Sequence, residues 1–111
     1  MTDAILQHRE GGLLTLQLNR PDKKNALTRA MFTQLAEALE LADADSGVTA
    51  VLIHGSADCF TAGNDIGDFL EQPPSDLDSP PFHFMKSLLN CRKPVIATEA
   101  VAALSAFITR Q

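Results

Sequence analysis

The sequence predicts an α/β fold in which an N-terminal hairpin leads into βαβ units with a mostly parallel sheet. Two observations carry this reading. The apolar pattern switches between the two-residue repeat of strands and the roughly 3.6-residue repeat of helices, and strand-like and helix-like segments alternate along the chain. Strand, helix, strand, helix, strand after a hairpin implies parallel pairing through right-handed crossovers.

The elements follow in order. Residues Ile5 to Glu10 and Leu13 to Asn19 flank Gly11-Gly12, and Leu14, Leu16 and Leu18 alternate with Thr15 and Gln17, a hairpin signal. Arg20-Pro21-Asp22 stops the second strand, because proline removes a ladder donor and aspartate favours a turn. Thr28 is the expected N-cap of an amphipathic helix through Met31, Leu35, Ala38, Leu39 and Ala42, ending near Asp45 to Gly47. Thr49 to His54 reads as a third strand, nearly all apolar as strands covered on both faces are. A short helical piece follows from Ile66 to about Leu70. Gln72 to Pro81, with four prolines, reads as a surface loop or lid. Helical spacing resumes over Phe82 to Cys91, and Lys93 to Ala97 reads as a fourth strand. Ala100 to Ile108 is apolar all round and fits helix and strand periods equally.

With 111 residues and 45% hydrophobic content, the chain has the size of one domain with one core. No stretch approaches the roughly 20 apolar residues of a membrane span, and Met1-Thr2-Asp3-Ala4 does not open a signal peptide, so a cytoplasmic location is expected. Cys59 and Cys91, like His8, His54 and His83, lack metal-ligand spacing, so free thiols and no metal site are expected. A net charge of −5 argues against a nucleic-acid or membrane-surface binder. Arg20, Lys23, Lys24 and Arg29 nevertheless crowd together, and no Lys or Arg lies between Arg29 and Lys86. Such a patch suits a small polyanion such as a nucleotide phosphate, although on charge alone it is an ordinary solvated turn.

The segment Phe60-Thr61-Ala62-Gly63-Asn64-Asp65-Ile66 follows the third strand. A strand feeding a small-residue turn can aim a backbone N–H at developing negative charge. Ala62 and Gly63 let a ligand approach the main chain, Asn64 tolerates a left-handed conformation, and Asp65 can cap a helix starting at Ile66. Taken alone, the segment is better read as a strand-turn-helix corner with no ligand.

Two blocks resemble the enoyl-CoA hydratase/isomerase (crotonase) family. Leu18-Asn19-Arg20-Pro21-Asp22-Lys23-Lys24-Asn25-Ala26-Leu27 is similar to the family's L-N-R-P-x-x-x-N-A-L segment, and Phe60 to Ile66 to its F-x-A-G-x-D-[IL] segment. Lys93-Pro94-Val95-Ile96-Ala97 resembles the K-P-[VT]-I-A strand that follows in family members. The resemblance implies the N-terminal part of a crotonase-like (ClpP/crotonase) fold, acting as a lyase or isomerase on acyl-CoA thioesters and stabilising an enolate at the thioester carbonyl. It implies no cofactor beyond the coenzyme A of the substrate. Lys24 and Ala26 would contact the CoA, and Ala62, Gly63, Asp65 and Ile66 would line the acyl pocket. The backbone N–H of Asn64 would be the first oxyanion donor, with its side chain unused. Family-type trimers or hexamers are implied as well.

The resemblance covers about residues 5–97, leaving 98–111 as a non-matching tail. In the family a glycine-rich turn follows this strand and gives the second oxyanion N–H, whereas here no glycine occurs after Gly67. The abrupt loss of pattern favours a shifted reading frame over a partial gene model or a genuine short relative, and a catalytically incomplete chain is expected. Glu99 takes no catalytic role. A non-catalytic α/β interaction module is the competing expectation. Mononucleotide binding and serine chemistry are unsupported, because neither G-x-G-x-x-G, G-x-x-x-x-G-K-[ST] nor G-x-S-x-G is present.

Overall fold

The computed structural model describes residues 4–55, 59–71 and 78–98. Strands β1 (Ile5–Glu10) and β2 (Leu13–Leu18) form the expected antiparallel hairpin, with Gly11 at a φ of 59° that suits glycine in its turn. Strand β3 (Ala50–His54) runs parallel to β2, and β4 (Val95–Thr98) parallel to β3, so the sheet order is β1-β2-β3-β4. The fold is α/β with a partly parallel sheet.

Register places Ile5 opposite Leu18, Leu16 opposite Ile53, and Val51 opposite Val95, so these side chains share one face. Helix α1 (Arg29–Ala44) lies on that face and buries Met31, Leu35, Ala38, Leu39 and Ala42 against it. Each fully buried leucine contributes about 1.5–3 kcal/mol relative to exposure. Thr28 is the N-cap, accepting the Met31 N–H at 3.2 Å. Helix α3 (Pro80–Asn90) packs beside α1 through Phe84 and Leu88, and the Phe32 and Phe84 rings sit 5.8 Å apart. Val51, Leu52 and Ile53 are all buried, as the apolar reading of β3 requires.

Two boundaries depart from the expectation. Pro80 and Pro81 open α3 rather than close a loop, since proline at a helix start loses no hydrogen bond and its φ is already helical. Of the expected lid, residues 72–77 lie outside the described residues, as does the tail beyond Thr98. Met85 and Leu89 of this helix are exposed. Lys93 does not open a strand. Its Nζ donates to the carbonyls of Ala42 (2.7 Å) and Asp45, completing acceptors at the C-terminal end of α1. Among the described residues no helix is long and apolar enough to cross a membrane.

Candidate functional site

The two motif blocks, some 35 residues apart in sequence, are clasped side by side. In the first block, Pro21–Lys23 forms a 3₁₀ turn. It is closed by hydrogen bonds from Asn25 N to Arg20 O (2.8 Å) and from Arg20 N to Asn25 Oδ1 (2.7 Å). Lys24 and Asn25 both take left-handed backbone angles, φ 52° and 57°. Asparagine tolerates this conformation and lysine does so less readily, so the turn is held by its surroundings. Asn25 is fully buried. Its Nδ2 donates to the carbonyls of Cys59 (3.3 Å) and Phe60 (3.2 Å), its carbonyl accepts the Thr61 hydroxyl (2.6 Å), and Lys24 O accepts Ala62 N (3.0 Å).

The clasp ends in one parallel bridge between Leu27 and Asn64. Leu27 N donates to Gly63 O (2.8 Å), and Asp65 N donates to Leu27 O (2.9 Å). In such a bridge the middle residue's own N–H and C=O point to the opposite side. The Gly63–Asn64 peptide is trans, so fixing the Gly63 carbonyl on Leu27 directs the Asn64 N–H away from the first block. Among the described residues that N–H donates to no protein acceptor. The left-handed residue of this corner is Gly63, with φ 93°, rather than Asn64 as the sequence suggested, and a Cβ on Gly63 would meet nothing within 4 Å. The face above Gly63 is therefore open. Gly55 is the opposite case: a Cβ there would lie 2.3 Å from the Cys59 carbonyl, so the segment crosses directly over it.

The cationic patch is smaller than the sequence implied. Arg20 Nη1 pairs with Asp65 (3.0 Å) and also donates to the Ala26 carbonyl (2.7 Å), and Arg29 pairs with Asp68 (3.2 Å). Lys23 and Lys24 stay exposed and make no ion pair among the described residues. The Asp68 N–H and then the Arg20 guanidinium hold the Asp65 carboxyl below the usual aspartate range. For Asp68, burial acts upward, but hydrogen bonds from the Arg29 side chain and backbone outweigh it and the net shift is downward. Both carboxylates are thus ionised and engaged near neutral pH.

The structure brings together Lys24, Ala26, Ala62, Gly63, Asn64, Asp65 and Ile66, the seven residues singled out in the sequence. Asp65 serves as the expected cap of α2 (Ile66–Glu71), accepting Asp68 N at 3.0 Å. Ala62 and Ile66 are exposed. The crevice beside Asn64, lined also by Leu27, Arg29, Phe69 and Pro80, measures only about 20 Å³, room for about one water. A larger apolar pocket of about 270 Å³ lies next to it under Phe60, Leu27, Phe84 and Leu88. The groove between α1 and α3, about 310 Å³, contains none of the motif residues. Sequence reasoning missed the roles of Asn25, Thr61 and Gly55; a buried asparagine inside a polar, turn-rich block is a signal only after the two blocks are known to touch. No group of three His, Cys, Asp or Glu residues among the described residues is placed to hold a metal.

The enoyl-CoA hydratase/isomerase family model matches residues 8–104, past Ala97 where the quoted motifs stop. The chain is 34% identical over 99 residues to mitochondrial Delta(3,5)-Delta(2,4)-dienoyl-CoA isomerase of Rattus norvegicus, covering 77% of this chain and 30% of that protein. It is 40% identical over 68 residues to 1,2-epoxyphenylacetyl-CoA isomerase of Escherichia coli, covering 61% of this chain and 26% of that protein. Among solved structures, Pseudomonas aeruginosa OdaA superposes with a TM-score of 0.83 at 61% identity, over 86% of this chain and 39% of that chain. An enoyl-CoA hydratase/isomerase of Pseudoalteromonas atlantica superposes with a TM-score of 0.79 at 33% identity, over 86% and 38%. The chain thus spans less than a third of these curated relatives and about two fifths of these solved chains. With both motif blocks joined in one site and the family model matching nearly the whole described fold, the chain belongs to the enoyl-CoA hydratase/isomerase family.

Proposed function

We propose that the two-loop clasp binds an acyl-CoA thioester and stabilises the enolate formed at its carbonyl through the backbone N–H of Asn64. The observation that carries this is the N–H itself: it has no protein acceptor among the described residues and is aimed away from the first block by the Gly63–Leu27 bond. A backbone donor is pre-oriented and does not titrate, and one such donor is worth roughly 3–4 kcal/mol of transition-state stabilisation. Exposed Lys23 and Lys24 next to Ala26 give the nucleotide phosphates a cationic contact. Ala62, Gly63 and Ile66 border the open face where the acyl group would lie. The relatives are named as CoA hydratases and isomerases, which supports the same substrate class.

In this reading the 111-residue chain is catalytically incomplete. Asp65 and Asp68, the carboxylates of the site, are ionised and tied to arginines, so neither is poised to transfer a proton near pH 7. The second oxyanion donor and the acid/base groups would come from outside the described residues. Titration calorimetry with crotonyl-CoA tests the reading. Crotonyl-CoA is expected to bind more tightly than free CoA, Gly63→Val to abolish that difference, and Asn64→Ala to keep it within about a factor of two, the size of an ordinary surface substitution. A stable monomer that ignores both ligands would contradict it and favour the interaction module.

A further inference from the structure

The Thr61 hydroxyl lies between the two loops and is engaged on both sides. It donates to the Asn25 carbonyl at 2.6 Å and accepts the Gly63 N–H at 3.1 Å. A carbonyl cannot donate and an N–H cannot accept, so the single hydroxyl proton has one place to go and the rotor is fixed. Gly63 is thereby held at both ends, its N–H on Thr61 and its C=O on Leu27 (2.8 Å). Because the Gly63–Asn64 peptide is planar and trans, these anchors determine where the next N–H points. Gly63 has a φ of 93° and a Cβ there would meet nothing within 4 Å, so no side-chain packing at its Cα holds that peptide.

We propose that Thr61 is a positioning residue whose hydroxyl sets the direction of the Asn64 N–H toward a thioester oxygen. The family pattern F-x-A-G-x-D leaves this position open, so the pattern itself assigns Thr61 no role. The inference rests on the reading of Asn64 as an oxyanion donor. A hydroxyl that merely stabilises the turn would alter thermal stability and leave the donor's response to ligand unchanged.

The test uses the full ¹⁵N-labelled chain, titrated with crotonyl-CoA and followed at the Asn64 amide resonance, with Thr61→Val and Thr61→Ser beside the parent and melting curves in parallel. The parent and Thr61→Ser are expected to show the same Asn64 shift and midpoint. Thr61→Val is expected to bind roughly 3- to 10-fold more weakly, the effect of one lost hydrogen bond, with a smaller Asn64 shift at saturation. A responsive parent whose valine variant responds identically, or a serine variant that behaves like valine, overturns the role of Thr61 alone. A silent Asn64 in the parent overturns the oxyanion reading and this inference together. If Thr61→Val does not fold, amide exchange of the unliganded parent decides: Gly63 protected and Asn64 unprotected supports the inference, and equal exchange overturns it.

Discussion

In the proposed reading Gly63 and Asn64 divide the work of the corner between conformation and donation. The glycine supplies a left-handed backbone angle, and the asparagine would contribute only its N–H. Gly63→Ala is expected to destabilise the fold by about 1–2 kcal/mol from its φ alone, despite the empty space around it. Asn64→Ala should melt within about 0.5 kcal/mol of the parent. Chemical denaturation of both variants checks this, and equal losses would contradict the assignment of strain to Gly63. Asp65 carries a pH signature. Its folded-state pKa is depressed by the Asp68 N–H and then Arg20, so its stabilisation is present above the unfolded value of about 4 and is lost as pH falls through the lower folded value. The fall in melting temperature between about pH 5 and pH 3 is therefore expected to be shallower in Asp65→Asn than in the parent, with Asp43, Asp45 and Asp68 supplying the remaining slope. These residue roles were unevenly legible in the sequence. The capping role of Asp65 follows from its place before Ile66, whereas its ion pair with Arg20 spans 45 positions and needs the fold.

At the scale of elements, periodicity revealed the hairpin, α1, β3 and the approximate position of β4, because each has a strong apolar repeat and a local stop signal. Boundaries moved where tertiary contacts prevailed. Pro80 and Pro81 became the first turn of α3, and Lys93, which looked like the first residue of a strand, left the strand to bond the carbonyls of Ala42 and Asp45. The crossing of residues 59–60 over Gly55 was likewise invisible, since no local rule says which glycine lies under another segment. Gly55→Ala is expected to destabilise the chain by about 1–3 kcal/mol through overpacking and to displace the Asn25 contacts to Cys59 and Phe60. Thr28→Ala should cost about 1 kcal/mol through loss of the α1 cap. Denaturant melts of the two variants, with the Asn25 side-chain amide followed by NMR, check both. An unchanged Asn25 amide in Gly55→Ala would contradict the crossing.

For the whole molecule, the apolar side chains are distributed unevenly. Leu6, Leu13 and Ile96 are partly exposed on the sheet face opposite α1, and Ile66, Leu70, Met85 and Leu89 stand exposed on α2 and α3. Such surface favours self-association of the chain made alone, which sedimentation at several concentrations would reveal. Crotonyl-CoA hydration by that chain is expected to stay at the buffer rate. In the proposed reading, lack of a second oxyanion donor would cost about 10²- to 10³-fold, and lack of a positioned acid or base roughly another 10²- to 10⁴-fold. A soluble monomer with turnover clearly above buffer would contradict this.

The most direct measurement of the central claim is the thioester carbonyl stretch of crotonyl-CoA labelled with ¹³C at the carbonyl, read by difference infrared spectroscopy with and without the chain. Hydrogen bonding by the Asn64 N–H polarises that carbonyl, so the band is expected to move to lower frequency on binding, to do so in Asn64→Ala as well, and to return to the free value in Gly63→Val. A bound ligand whose carbonyl band stays at its free position in the parent would contradict the assignment of Asn64 as the oxyanion donor.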